Sequence, residues 1–345
     1  MIDHLALDMM NEPAPEPSTP REGDFAVNCV VVTSTIVDRL NTNARIRGYL
    51  SDAFAGLLGS HRVASCPLER APAYLEQLRP SLVVAVGSLA SDTSDLRRLR
   101  QSADRTGGLI AYWLHDDPYE FDYAFKAELY ADTVFSNDAW SVIHYRHPNV
   151  HHLPMAAAPG VHWRRLVPVA QRDLALFFCG VAFPNRIEIL SRADDLLSRY
   201  PVRVLGDGWP SEIRCARNRR LSSIEMGDYA QNAKLTLNLG RDLNIANLRY
   251  ALPASTPGPR TFEIAMAGSA QLYFASGLEI LDYFEPEKEI ILFDEIGDIK
   301  RTIEQAYDDP ESIDLIAKNA QQRALYEHSY LSRARRILSI CSMPA

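Results

Sequence analysis

The chain has 345 residues, 47% of them hydrophobic and 23% charged. That length allows two domains of ordinary size, and that composition allows large buried cores. A formal net charge of -8 excludes broad, sequence-independent binding of nucleic acid, which needs a positive surface.

The opening residues carry Asp3, Asp8 and Glu12 and then the proline-rich run NEPAPEPSTP. They lack the basic start and apolar stretch of a secretion signal, so residues 1–24 are expected to form a disordered leader. No run approaches the roughly 20 apolar residues of a membrane helix. Cys29, Cys66, Cys179, Cys215 and Cys341 are scattered, with no CxxC and no zinc-spaced histidine pair. A reducing, cytoplasmic setting fits that usage.

From Phe25 onward, short apolar runs alternate with longer amphipathic segments. The pattern predicts strands at 25–34, 61–66, 81–88, 109–114, 133–137 and 150–154. Helices are predicted at 44–58, 71–78 and 93–105, with a further segment at 139–146. The rhythm breaks at AAAPGVHWRRLVPVAQ (156–171), which reads as a linker. It then restarts, with strands at 174–180, 202–209, 235–240, 271–275 and 289–293. Helices are predicted at 185–199 and 224–233, a short one opens at Pro259, and the tail from 296 to 340 reads as helical with a break at Asp309-Pro310. Nearly unbroken apolar strands alternating with helices imply parallel sheets covered on both faces. The expected fold is α/β, with Rossmann-like halves at 25–157 and 172–325 and a closing segment at 326–345. In such sheets ligands bind beyond the carboxyl ends of the strands.

The most informative stretch is PGPRTFEIAMAGSAQLYF, Pro257 to Phe274. Pro259 pre-sets helix entry and Gly268 suits the left-handed turn that closes it. Arg260 and Glu263 fall in the first turn. A helix amino end seats phosphate, and the Glu263 carboxylate is suited to accept hydrogen bonds from ribose hydroxyls. The alternative is that Glu263 only complements the helix dipole and Arg260 is solvated.

Three other strand ends add to this candidate nucleotide site. FFCG places Gly180 at a strand end, where it either makes the turn or lets a ligand approach the backbone, and Arg186 opens the next helix within reach of a diphosphate. VLGDGW sets Gly206 and Gly208 around Asp207, but without the third glycine of a dinucleotide fingerprint. Trp209 either stacks on a base or packs on the domain. LNLGR supplies Asn238, a loop-fixing or ligand-contacting amide, and Arg241. The run RCARNRR (214–220) reads as a solvated loop.

In the first half, YWLHDDPYEFD crowds His115, Asp116 and Asp117 just past a strand end. Adjacent carboxylates raise one another's proton affinity and an imidazole can orient them, so these three are candidate catalytic groups. Gly87 and Ser88 end another strand and are expected to line the same acceptor cleft. His144, His147, His151 and His152 lack HExxH spacing, and neighbours on an extended run point opposite ways. A structural or acceptor-lining role, with His152 as the lining residue, is preferred to a metal site.

Taken in order, FFCG, NR, VRVLGDGW, YAQNAKLTLNLGR, PRTFEIAMAGSAQLYF, LEILDYFEPEKEIILF and EHSYLSRARRIL resemble the CgeB-like glycosyltransferases over roughly Leu174 to Leu338. That resemblance implies a GT-B fold, two Rossmann-like domains with a cleft between them. It also implies a nucleotide-diphosphate sugar as co-substrate in the second domain, no further cofactor and no metal. It gives Glu263 the ribose and Arg260 the phosphate, with Arg186 or Arg241 as further phosphate ligands. The positions eight and seven before Glu263, where many retaining relatives hold an acid, carry Ser255 and Thr256. In this fold the last helix often crosses back to the first domain. The expected activity is sugar transfer to an acceptor hydroxyl or other nucleophile. The rivals are a nucleotide-sugar epimerase and a non-catalytic surface-assembly protein with a vestigial pocket.

Overall fold

The computed structural model describes residues 27–35, 43–88, 92–275 and 277–342; the leader expected over 1–24 lies outside them. The chain divides into two units. One comprises the described residues of Pro17–Met155, Asn244–Thr256 and Tyr330–Ala345, and the other Ala156–Leu243 and Pro257–Ser329.

The first unit is built on β1 (Val30–Ser34), β2 (Val63–Pro67), β3 (Leu82–Gly87), β4 (Leu109–Leu114), β5 (Thr133–Ser136) and β6 (Val150–His152). They form one sheet in the order β2-β1-β3-β4-β5-β6, every pairing parallel, with Val32 opposite both Ser65 and Val84. Such strands bury both faces, which is why β1 and β3 are apolar almost throughout. The covering helices are α1 (Asn43–Leu58), α2 (Ala71–Leu78), α3 (Thr93–Thr106), α4 (Phe125–Tyr130) and α5 (Ala139–Val142). Of the segment at 139–146 only Ala139–Val142 is helical, and His147-Pro148 lies in irregular chain, as the residue before a proline avoids the helical region.

The second unit repeats the plan with β7 (Leu174–Cys179), β8 (Val202–Gly206), β9 (Ala216–Asn218), β10 (Ala233–Asn238), β11 (Ala270–Phe274) and β12 (Ile291–Phe293). Their order is β12-β11-β10-β7-β8-β9, again parallel. Its helices are α6 (Pro159–His162), α7 (Pro184–Leu197), α8 (Ser223–Gln231), α9 (Pro259–Met266), α10 (Ile296–Asp308) and α11 (Pro310–Glu327). β9 runs through the arginine-rich stretch read as a loop. Its charges are exposed and paired, Arg214 with Asp194 and Asp195 and Arg219 with Glu225.

One chain segment departs from the expected boundaries. Asn244–Thr256, assigned by sequence to the second half, belongs to the first unit. The Asp122 carboxylate accepts the N–H groups of Leu248 and Arg249 there, and Tyr250 packs edge-on against Phe121 at 5.0 Å. The last helix, α12 (Tyr330–Cys341), also belongs to the first unit. Tyr330 lies 5.4 Å from Tyr49 of α1 and 6.0 Å from Trp113 of β4. Arg333 donates to the carbonyls of Pro154 and Met155. Among the described residues no helix is long and apolar enough to cross a membrane.

Candidate functional site

In the second unit the strand order reverses between β7 and β10, the place where an open parallel sheet offers a crevice at its carboxyl edge. α9 starts beyond the carboxyl end of β10. Its N-cap is Gly258, which offers no side chain to cap the helix, and Pro259 takes the first helical position. The helix buries Phe262, Ile264, Ala265 and Met266, with Phe262 against the rings of Tyr283, Phe284 and His328. Burial of that face fixes the other, which carries Arg260 and Glu263. Gly268 closes the turn at φ 69°.

Arg260 Nη1 donates to Glu263 Oε2 at 2.7 Å. The Arg260 side chain is 36% exposed and that of Glu263 15%. On the other side, His162 Nε2 lies 3.5 Å from Glu263 Oε1. Burial pushes the Cys179 thiol at the end of β7 up, while the nearby charges of Arg260, Glu263 and Arg186 act on it.

Arg186 does not face outward as a phosphate ligand should. It is buried, and its guanidinium donates to the carbonyls of Gly240 (2.9 Å), Val181 (3.0 Å) and Leu239 (2.8 Å). It ties the loop after β7 to the loop after β10, with Phe178 and Phe183 flanking its plane. Trp209 is buried, donates its indole N–H to Gly180 O at 3.1 Å and meets Phe178 edge-on, so it packs on the domain. Asn238 resolves as a fixing residue. Its amide reaches Thr261 Oγ1 at 2.9 Å and Gln271 Oε1 at 2.5 Å, tying β10 to α9 and β11.

Gly206 and Gly180 serve each other. A Cβ on Gly206 would sit 1.8 Å from the Gly180 carbonyl oxygen, and one on Gly180 would meet Arg186 at 2.8 Å. The close approach expected of a ligand is thus made by the protein itself. Gly208 holds φ 78° with room around it, and Arg241 is half-buried just past β10.

In the first unit the carboxyl ends of β3, β4 and β5 gather a polar cluster. His115 is buried, with Nε2 against Asn43 Oδ1 and Nδ1 3.2 Å from Asp116 Oδ2. A Cβ on Gly87 would collide with Asn43 and Thr35, so this glycine admits that polar pair beneath the histidine. Asp116 keeps 18% side-chain exposure. Asp117, expected as a candidate base, is instead sealed within the unit at 1% exposure. Its Oδ2 accepts Ser136 Oγ at 2.6 Å and Tyr145 OH at 2.7 Å. Burial, abetted by the charges of Glu120 and Asp138, pushes its carboxyl up to about 7, against the pull of the two hydroxyls. Ser88 Oγ donates to the buried Glu120 at 2.5 Å.

Asp138 was missed as a special residue, although an aspartate three before a serine is a legible helix cap. Its Oδ1 caps α5 through Ser141 N, and its Oδ2 accepts the N–H groups of Ser255 and Thr256. Thr256 Oγ1 also accepts from Ala139 N and lies 3.2 Å from His152 Nε2. The two positions that lack an acid are therefore anchored to one. His162 was missed because a lone histidine in a linker carries no spacing signal.

Residues 186–339 match the model of the family described as glycosyl transferase-like. No curated protein matches the sequence significantly. Among solved structures, Anabaena HepE in complex with UDP and glucose is similar at TM-score 0.60 and 11% identity, over 90% of this chain and 98% of that one. Sucrose-phosphate synthase from Thermosynechococcus elongatus is similar at TM-score 0.59 and 12% identity, over 89% and 97%. A putative UDP-N-acetylglucosamine 2-epimerase from Listeria monocytogenes follows at TM-score 0.56 and 10% identity, over 90% and 95%. The chain thus has the GT-B fold, and residues 186–339 are similar to the glycosyl transferase-like family.

Proposed function

We propose that the protein is a CgeB-like glycosyltransferase that transfers a sugar from a nucleoside diphosphate carrier to an acceptor nucleophile. The observation that carries this reading is the Arg260–Glu263 pair at the uncapped amino end of α9, beside the β7/β10 switch point. The helix end and the guanidinium favour the diphosphate, where negative charge grows as the sugar departs. The Glu263 carboxylate is suited to the neutral ribose hydroxyls. The similarity to a protein holding UDP and glucose supports a uridine nucleotide. Arg260 and the helix dipole supply the positive field, so transfer in this reading needs no metal. In the first unit, Asp116 with His115 stands ready to take the acceptor proton. The five free cysteines support a cytoplasmic setting.

Calorimetric titration with UDP, GDP and their sugars tests the reading. Glu263→Ala should lose roughly 10–100-fold in affinity, the worth of hydrogen bonds to a charged group. Unchanged affinity would remove the ribose assignment. The similarity to the putative epimerase favours a second reading, epimerisation of the same donor. Incubation with donor but no acceptor separates them, because only an epimerase then yields a new nucleotide sugar.

A further inference from the structure

His162 ends α6 and is fully buried. Its Nδ1 accepts the Ala158 N–H at 2.9 Å. In a neutral imidazole the proton then sits on Nε2, and Nε2 is the atom that faces Glu263 Oε1. Burial holds the ring's proton affinity down against the pull of Glu263, so it meets the carboxylate as a neutral donor. The two partners of Glu263 differ in freedom. Arg260 keeps 36% side-chain exposure, whereas His162 is fully buried, in a stretch where Ala157 N donates to His328 O at 2.9 Å just before α6. One borders solvent and the other does not.

We propose that His162 is a positioning residue for ribose recognition: its Nε2–H keeps hold of Glu263 Oε1 when Arg260 leaves Oε2 for the diphosphate. This rests on the reading of Glu263 as the ribose ligand. At 3.5 Å the contact is long for a hydrogen bond, while the carboxylate's other oxygen is held by Arg260 at 2.7 Å. Departure of Arg260 lets it shorten, as contacts in ligand-free sites commonly do on binding. A carboxylate accepts about four hydrogen bonds, so one taken by His162 leaves room for both ribose hydroxyls. Without that inner donor, the carboxylate freed by Arg260 would have no fixed aim.

The test is calorimetry with UDP and GDP, each beside its 2′,3′-dideoxy counterpart, on the wild-type chain, His162→Phe and His162→Gln. The wild type should prefer the ribose form by roughly 10–100-fold. His162→Phe fills the space without a donor and should shrink that preference to a few-fold at most, with dideoxy affinity little changed. His162→Gln carries an amide N–H to the Nε2 position and should restore much of it. Should the Phe variant not fold, His162→Asn keeps a group near Nδ1, loses reach to Glu263 and should behave as Phe is expected to. Equal weakening of ribose and dideoxy forms, or an unaltered preference, would reduce His162 to packing and overturn the inference. A wild type that does not distinguish the two forms would overturn the Glu263 assignment itself, and this inference with it.

Discussion

The Asp138 carboxylate receives both the backbone N–H of Ser255, at 2.7 Å, and its hydroxyl, at 3.1 Å, across 117 positions of sequence. The same carboxylate caps α5, and it is 1% exposed. Removing it leaves the buried N–H of Ser141 and the part-buried N–H groups of Ser255 and Thr256 without this acceptor, a loss of up to about 1–3 kcal/mol for a fully buried one. Asp138→Ala should therefore open Asn244–Thr256 locally, seen as lost hydrogen-exchange protection at the Ser255 and Thr256 amides. Ser255→Ala keeps the backbone donor and should cost about 1 kcal/mol or less. Protection unchanged in Asp138→Ala would mean the segment is held by its apolar residues alone.

Asp117 makes stability depend on pH in an unusual direction. Its carboxyl is raised from the ordinary 3.8 to about 7 in the folded chain. Between those values the folded state holds a proton that the unfolded state has released. Stability from this group is thus complete at low pH and declines as pH rises toward 7, by roughly 1 kcal/mol per pH unit. Asp117→Asn keeps an acceptor for Ser136 and Tyr145 without the charge. Thermal melts from pH 5 to 8 should show a flatter profile in the variant and a higher melting point than wild type at pH 8. Parallel profiles would place the ionisation elsewhere.

Arg186 and Arg260 should fail differently when truncated. Arg186→Ala strips three carbonyls of a buried cationic donor, and a stability loss of about 2–4 kcal/mol is expected. Arg260→Ala removes a partly exposed pair three residues apart on one helix, worth only about 0.5 kcal/mol. Its melting point should stay put while nucleoside diphosphate affinity falls roughly 10–100-fold. Denaturant melts and calorimetry on both variants check the contrast. If Arg260→Ala bound nucleotide normally and Arg186→Ala lost only binding, their roles would be reversed.

The sequence made the sheets legible because buried parallel strands such as Val30–Ser34 and Leu82–Gly87 have almost no polar interruption. The helix entry at Pro259 and exit at Gly268 were legible for the same local reason, since each residue type matches one backbone demand. Arg186 was not legible as a brace, because whether a guanidinium meets a ligand or a carbonyl depends on where two distant loops end. Asn244–Thr256 was misassigned because nothing within it names Asp122 or Asp138 as its partners; an N–H leaves no mark in a sequence. His162 is the same case, a residue defined by what folding brings opposite it.

Asp116 and Asp117 are adjacent in sequence, yet their surroundings separate them. Asp116 retains exposure beside His115 Nδ1, whereas Asp117 has one oxygen taken by two hydroxyls and the other buried without a hydrogen-bond partner among the described residues. A base must reach the acceptor proton directly or through one water, which favours Asp116. With donor and acceptor in hand, Asp116→Asn should lower kcat by roughly 10²–10⁴-fold, the usual range for losing a general base, with donor affinity unchanged. Asp117→Asn should retain turnover, because the amide replaces a group that touches only the protein. His115→Gln should show an intermediate loss, since its ring nitrogen lies 3.2 Å from the Asp116 carboxylate and aims it. Full turnover by Asp116→Asn together with collapse in Asp117→Asn would reverse the assignment. Full turnover in both would move the base out of this cluster altogether.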